Sequence, residues 1–227
     1  MIPTKDKRKS NLKIKQKTRK KREDTQLKTK RRQTEKNLLT DINIIFGIDN
    51  GVTGTLSCII PELNNYIDII ETPVIESDNY TQDVQKINRI DLITLIEWLK
   101  KHLKFAEELY KDKIKSIVIL ERPMVNPQRF KNSLIAIRAF EATLISLEKL
   151  NLQYIIIDSK KWQHHFFGKD TTQIDLKKAS LNLSLDILKN YNKELIYDFD
   201  NLSNLLKKHG DGDAFLICSY IKEKYFN

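Results

Sequence analysis

The chain has 227 residues, of which 40% are hydrophobic and 31% charged, enough for one folded domain with an appendage. No apolar run reaches the roughly 18 residues that span a bilayer, and the first residues lack the apolar core of a secretory signal peptide. We therefore expect an intracellular protein without a membrane segment. Cys58 and Cys218 each lie in an apolar run without the Cys/His spacing of a zinc site, which predicts reduced core residues.

The positive charge is concentrated at the N-terminus. The net charge is +10, yet residues 1–36 alone contain 16 Lys/Arg and 4 Asp/Glu, a balance of +12, which leaves −2 for the remainder. Residues 1–40 also lack hydrophobic periodicity, which predicts a disordered basic tail ahead of a folded domain at 41–227. This tail could be a solvated arm, a nuclear or organellar address, or a polycation that follows nucleic acid.

The predicted domain alternates strands and helices in chain order. Apolar runs predict strands at 44–49, 55–60, 66–74, 114–121 and 154–158. Helical spacing of apolar residues predicts helices at 90–110, 133–150, 160–167, 176–189 and 214–224, while the polar stretch 76–88 predicts an exposed loop. This order predicts an α/β fold with a mixed five-stranded sheet flanked by helices.

Acidic residues stand at the ends of apolar segments. Asp49 and Glu121 directly end two predicted strands, and Asp213 opens the last predicted helix, with Asp211 and His209 just before it. Like charges about 4 Å apart repel by about 4 kcal/mol per pair at an effective dielectric near 20. A divalent metal would remove that repulsion and supply hydrolytic chemistry, so the pattern predicts a metal-dependent nuclease. The alternatives are a turn residue for Asp49 and helix caps for Asp211 or Asp213.

Five motifs in this order resemble the RuvC-type Holliday junction resolvases of the RNase H-like nuclease superfamily. The likeness is closest to the viral and phage branch and runs over residues 43–222. The motifs lie at residues 47–54, 120–123, 158–162, 177–180 and 213–217.

The resemblance implies a homodimeric endonuclease that acts on four-way DNA junctions in recombination and repair. Asp49, Glu121 and Asp213 would hold two magnesium ions, for which manganese would substitute. The expected products are nicks with a 5′-phosphate and a 3′-hydroxyl. The expected location is at DNA inside the cell, in the host cytoplasm or nucleus if the source is viral, with an organelle left open.

The resemblance also implies a fourth ligand, where the match is looser. Family members place it three residues before the last Asp, a position that Gly210 occupies here. Asp211 and His209 flank that glycine, and a change of phase by one residue would bring in either of them. We expect Asp211 to serve.

Basic residues near these motifs are candidate DNA contacts. Lys160, Lys161 and Lys178 are predicted to contact phosphates, the alternative being that they form solvated helix faces. Trp162 could stack on an opened base, although a core anchor is the favoured interpretation.

Three other functions compete with junction cleavage. An ATP-binding fold of the actin and sugar-kinase type would need a second domain and another glycine-rich phosphate loop, and the chain has only six glycines. An RNase H-like nuclease for an RNA–DNA hybrid or another branched nucleic acid would share the same carboxylates. A non-catalytic nucleic-acid-binding protein on the same scaffold would be better served by basic residues at those positions.

Overall fold

The computed structural model describes residues 39, 41–63, 66–79, 86–111, 113–190, 199–210 and 212–226. The chain divides into two units between Thr40 and Asp41, and the second unit is described below. Apart from Leu39, the tail predicted at 1–40 lies outside the described residues, so its disorder stays a prediction.

In the described part of the chain, five strands form the central sheet and two more form a separate hairpin. The strands are β1 Ile44–Ile48, β2 Thr55–Ile59, β3 Ile67–Glu71, β4 Val74–Asp78, β5 Lys86–Ile90, β6 Ser116–Glu121 and β7 Tyr154–Ile157. The sheet order is β3-β2-β1-β6-β7, in which β2 is antiparallel to both neighbours while β1, β6 and β7 are parallel. The predicted α/β fold with a mixed five-stranded sheet is thus confirmed.

Helices flank this sheet. They are α1 Leu92–Tyr110, α2 Phe130–Lys149, α3 Ser159–Phe167, α4 Leu176–Asn190, α5 Phe199–His209 and α6 Asp213–Phe226, with a short 3-10 turn at Pro127–Arg129. The carboxylate of Asp91 caps α1 by accepting the backbone N–H groups of Ile93 and Thr94. Within the described part of the chain, no helix is both long enough and apolar enough to cross a membrane.

The core lies on both faces of β1, whose five residues are all buried. On one face Phe46 packs against Trp98 of α1, with ring centroids 5.6 Å apart. On the other face α6 packs on β1 and β2. A Cβ at Gly47 would lie 2.3 Å from the carbonyl oxygen of Ala214 and 2.8 Å from Cys218 Sγ, so only glycine admits the helix this closely. The core therefore fixes where α6 begins.

Both cysteines are free and buried, as the sequence predicted. Cys58 belongs to the same core cluster as Phe46. The thiol of Cys218 contacts the carbonyl oxygens of Ile45 and Ser57 from α6. Burial raises the pKa of both thiols, so both are held in the protonated form.

The loop predicted at 76–88 is wrong for its described part, which pairs as a hairpin. β4 and β5 are antiparallel, with register from Val74 opposite Ile90 to Asp78 opposite Lys86. The strand predicted at 66–74 accordingly divides into β3 and the start of β4. The hairpin is exposed along most of its length and is joined at its far end by an Asp78–Lys86 ion pair. Its polar, exposed residues therefore lack the apolar pattern of a core strand.

Helix α5 was not predicted. It is short and polar, and only a narrow strip that includes Leu202 and Leu206 is buried. Asp200 lies in its first turn and Lys207 and Lys208 in its last, which complements the helix dipole. That order of charges was the signal in the sequence from which α5 could have been predicted. The helix predicted at 133–150 is confirmed but begins at Phe130.

Candidate active site

Two of the predicted carboxylates follow neighbouring parallel strands at the same edge of the sheet. Ile48 of β1 is opposite Leu120 of β6, and Glu121 is opposite Ile157 of β7. Asp49, which follows Ile48, therefore lies beside Glu121 in one row across the strands. The carboxyl ends of parallel strands are where ligand sites form in α/β sheets.

Glu121 lies close to two other predicted site residues, Asp49 and Asp213. Burial and the negative charges of Asp49 and Asp213 raise the pKa of Glu121 from 4.5 to about 9. A hydrogen bond from the protonated Glu121 carboxyl group to Asp49 adds to the rise. The indole N–H of Trp162 acts in the opposite direction and lowers the pKa of Glu121. Within the described residues, however, this N–H makes no hydrogen bond of regular geometry. The structure thus gathers Asp49, Glu121 and Asp213 into one acidic cluster.

The turn after β1 presents Asp49. The backbone N–H of Asp49 donates to the carbonyl oxygen of Thr55 at 3.1 Å, and that of Gly54 donates to Gly51 at 3.3 Å. The side-chain amide of Asn50 donates to the carbonyl oxygen of Ala136 in α2 at 3.1 Å. The turn is therefore tied to both the sheet and a flanking helix, while the Asp49 side chain meets Glu121 rather than acting only as a turn residue.

Asp213 is the first residue of α6. The carbonyl oxygen of Gly212 accepts the N–H of Leu216 at 2.9 Å, so Gly212 holds the capping position. The carboxylate of Asp213 accepts a hydrogen bond from the Ser180 hydroxyl of α4. The positive end of the helix dipole also favours a carboxylate here.

The two candidates for the fourth ligand flank Gly210 in the sequence, at the end of α5. Gly210, at φ +83°, ends α5, and its N–H donates to the carbonyl oxygen of Leu206 at 2.9 Å. His209 is the last residue of α5 and so belongs to a different helix from Asp213. Asp211 lies outside the described residues, so its assignment stays a prediction.

The donor chemistry of the cluster fits a divalent cation, whereas its present arrangement is not a finished coordination shell. Carboxylate oxygens are the ligands that magnesium and manganese prefer. Burial and the neighbouring negative charges together raise the pKa of Glu121, and a bound cation would favour its ionised form. Across the described residues, however, no three His, Cys, Asp or Glu side chains are already placed to enclose one ion. Asp49 and Glu121 would have to exchange their shared hydrogen bond for a common cation.

The three predicted DNA-binding lysines are exposed near this cluster. Lys160 and Lys161 lie in the first turn of α3, directly after β7 and so at the same edge of the sheet as Asp49. Lys178 lies in the first turn of α4, the helix that contacts Asp213 through Ser180. Their contacts with phosphate stay a prediction.

Trp162 is only 1% exposed, as the core-anchor interpretation predicted, and a buried ring cannot stack on a base.

Sequence reasoning assigned no role to Ser180, although it lies in one of the five motifs that resemble the resolvases. It also assigned none to the exposed ion pair of Arg122 and Asp158, whose Nε and Oδ1 are 2.8 Å apart beside Glu121. The signal for Ser180 was its recurrence with Ser184 on one helical face.

Comparisons with known proteins give similarity at the level of structure. No protein-family model matches the chain, and no curated protein sequence matches it. A Thermus thermophilus RuvC in complex with a Holliday junction substrate has 13% identity and a TM-score of 0.42, covering 81% of this chain and 93% of that one. A second T. thermophilus RuvC structure has 10% identity and a TM-score of 0.36, covering 79% and 95%. The yeast mitochondrial Holliday junction resolvase Ydc2 has 13% identity and a TM-score of 0.28, covering 82% and 84%.

Proposed function

We propose that this protein is a structure-selective endodeoxyribonuclease of the RuvC type that resolves four-way DNA junctions by metal-dependent phosphodiester hydrolysis. The observation that carries the proposal is the acidic cluster of Asp49, Glu121 and Asp213. It is assembled from three separate elements, and burial together with its negative charges raises the pKa of Glu121 to about 9. A fold gains no stability from gathering these charges, so their convergence is best explained by a bound cation.

The three carboxylates would hold two magnesium ions, with Asp211 as a further ligand and manganese as a substitute. When bound, magnesium supplies the Lewis acidity that activates water and stabilises the departing 3′ oxygen. The residues of the chain itself position these charges: β1 and β6 fix Asp49 and Glu121 side by side, and α6 delivers Asp213. The expected nick carries a 5′-phosphate and a 3′-hydroxyl.

Branched DNA is the proposed substrate because the five motifs resemble junction resolvases, in particular their viral and phage branch. The exposed lysines Lys160, Lys161 and Lys178 would contact phosphates beside the acidic cluster, which lowers the repulsion that DNA meets there. Residues 1–36, with their balance of +12, would add contacts without sequence readout. A homodimer would present two sites for symmetric cuts. This activity places the protein at DNA inside the cell.

A cleavage assay tests this function. Purified protein with magnesium should nick a synthetic four-way junction symmetrically and leave linear duplex largely intact. Glu121→Gln and Asp213→Asn should abolish cutting because each removes a metal-binding carboxylate, yet preserve junction binding because neither adds negative charge that faces the phosphates. Glu148→Gln, an exposed change on α2, is the matched control and should cut normally.

The same assay separates the competing functions. Preferential cutting of an RNA–DNA hybrid would indicate that the hybrid is the substrate of the same hydrolytic reaction. Tight junction binding with no cutting in magnesium or manganese would indicate the non-catalytic scaffold. Deletion of residues 1–36 should weaken binding and flatten its salt dependence while cutting persists, and an unchanged salt slope would remove the tail from the DNA interface.

A further inference from the structure

A buried serine pair on α4 contacts the start of α6. Ser180 is 1% exposed and Ser184 is 0% exposed, and Leu188, one turn further on, is also fully buried. These residues recur at every fourth position and so form one face of the helix. Hydroxyl groups in such a face need hydrogen-bond partners, because an unpaired buried polar group is costly. Both serines find their partners at the beginning of α6.

Ser180 bonds both the backbone and the carboxylate at this point. It accepts the backbone N–H of Gly212 at 3.2 Å and donates to Oδ1 of Asp213. A serine hydroxyl has a single proton. That proton is committed to the Asp213 carboxylate, and the Gly212 N–H occupies an acceptor site on the same oxygen. The carboxylate of Asp213 therefore cannot rotate about its Cβ–Cγ bond without breaking this contact.

The packing of the two helices holds this geometry in place. The Ser184 hydroxyl donates to the carbonyl oxygen of Gly212 at 3.3 Å. A Cβ at Gly212 would lie 2.0 Å from Ser184 Oγ, so α4 and α6 are as close here as a glycine allows. Among the described residues, the hydrogen bond of Ser184 goes to the backbone before α6, whereas Ser180 also bonds the side chain of Asp213. Both serines are buried on α4 and both bond the backbone of Gly212, but Ser180 alone of the two bonds the Asp213 carboxylate.

We propose that Ser180 is a positioning residue for Asp213, which holds the carboxylate in the orientation that accepts a divalent cation. This inference rests on the proposed function, because it assigns Asp213 to a metal site. Partners that orient the ligands of a metal change its affinity by roughly 10- to 100-fold when they are removed. Ser180 acts through Asp213 and needs no contact with DNA.

Calorimetric titration of the full chain with Mn²⁺, in the absence of DNA, tests the inference. Ser180→Ala should weaken Mn²⁺ binding by roughly 10-fold or more. Ser184→Ala loses a comparable buried hydroxyl and should bind Mn²⁺ within about twofold of wild type, even if it melts at a lower temperature. Ser180→Thr keeps the hydroxyl and should restore most of the affinity. In cleavage assays, Ser180→Ala should require a higher Mn²⁺ concentration for half-maximal rate, with the KM for DNA unchanged.

Several results would overturn it. Ser180→Ala could bind Mn²⁺ as tightly as wild type, or both alanine variants could lose affinity equally, which would reduce Ser180 to packing. If Ser180→Ala does not fold, Ser180→Cys keeps most of the volume with a much weaker donor, and wild-type affinity in that variant would also contradict the role. If wild type binds Mn²⁺ in this Ser180-dependent way but cuts no junction, the proposed function fails while this inference stands. A wild type that binds no divalent cation overturns both.

Discussion

Glu121 and Asp49 extend by one residue the last register pair of two parallel strands, and the protonated Glu121 carboxyl group donates a hydrogen bond to Asp49. Two acids at the end of a buried sheet share one proton because burial disfavours their charged forms and the ionised carboxylates repel each other. The same arrangement that is unfavourable in the metal-free protein is the one that a divalent cation would stabilise. The stability of the fold and the chemistry of the site therefore oppose each other here.

Replacing Glu121 by glutamine should stabilise the metal-free protein at neutral pH. Glutamine keeps the shape and removes the ionisation that burial and the neighbouring carboxylates resist. Folding at neutral pH requires Glu121 to take up a proton, whereas glutamine is neutral in both states, so the variant avoids this cost. Each gain of about 1 kcal/mol raises the melting temperature of a domain of this size by roughly 2–4 °C. Thermal unfolding in a chelating buffer measures the change, with Glu148→Gln as the exposed control. A lower melting temperature for Glu121→Gln would contradict the account of the cluster.

The raised pKa of Glu121 gives the metal-free protein a specific pH dependence. The folded state holds this proton up to a pKa of about 9, whereas the unfolded state releases it near 4.5. The unfolded chain therefore binds fewer protons between these values, and the free energy of unfolding falls as the pH rises through this window.

The measurement compares wild type with Glu121→Gln by denaturant unfolding at about pH 6 and about pH 8.5. Groups outside the acidic cluster contribute equally to both proteins, so the difference between them isolates Glu121 together with the carboxylates that it contacts. Wild type should lose more stability than the variant on going to the higher pH. Parallel losses in the two proteins would show that Glu121 ionises normally.

A second buried network, away from the acidic cluster, should control acid stability. Asp68 Oδ2 lies 2.8 Å from His102 Nε2 and accepts the indole N–H of Trp98 at 2.9 Å, while the Tyr66 hydroxyl lies 2.7 Å from His102 Nδ1. Burial alone would raise the pKa of Asp68, but the hydrogen bonds from His102 and Trp98 outweigh it and hold that pKa below 3.8. This contribution is present above the ordinary pKa and is lost as the pH falls through the lowered one.

Asp68→Ala should cost about 1–3 kcal/mol at neutral pH, because Trp98 and His102 lose a buried partner. The variant should also lose less further stability than wild type when the pH is lowered below about 4. Asp186→Ala, an exposed change on α4, should stay within about 0.5 kcal/mol. Denaturant unfolding across this pH range decides the matter, and a neutral effect of Asp68→Ala would show that the network is not stabilising.

Lys178 should contribute one phosphate contact. Lys178→Ala is expected to reduce the slope of log affinity against log salt for junction binding by about 1. Lys189→Ala changes a lysine at the other end of the same helix that is already paired with Asp186 at 2.9 Å, so its slope should match wild type. Fluorescence titrations at several salt concentrations provide both slopes. Equal slopes for all three proteins would remove Lys178 from the DNA interface.

Gly47→Ala should disturb the acidic cluster, although Gly47 itself is not part of it. The added Cβ would meet the Ala214 carbonyl oxygen at 2.3 Å, so α6 must shift, and Asp213 moves with it. Overpacking of this kind costs about 1–3 kcal/mol. Ser57→Ala, opposite Gly47 on β2, adds no atoms and should leave α6 in place. Mn²⁺ affinity and unfolding are measured together, and a Gly47→Ala protein unchanged in both would contradict the close approach of α6.

Much of the fold can be predicted from local patterns of apolar residues. The strands that end at Ile48 and Glu121 are continuous apolar runs because they are covered on both faces, and a carboxylate is tolerated only where such a strand leaves the core. The long amphipathic helix α1 is equally clear from its spacing. Elements that depend on burial can therefore be read along the chain.

Elements that depend on pairing or on a narrow buried strip cannot be read in the same way. The hairpin of β4 and β5 exposes Val74 and Ile75, and its stability comes from the partner strand rather than from the core. Helix α5 buries too few side chains to produce a strong apolar period. Both were missed because apolar periodicity reports burial alone.

The sequence by itself determined which residues carry charge and which segments are buried, so Asp49, Glu121 and Asp213 stand out by residue type and by their positions at the ends of apolar segments. Only the tertiary structure decided that they meet. The register of β1 against β6 brings Asp49 to Glu121, and the packing of α4 on α6 brings Ser180 to Asp213, 33 residues away. Contacts between distant segments depend on how whole elements pack, and no local pattern of residue types specifies that arrangement.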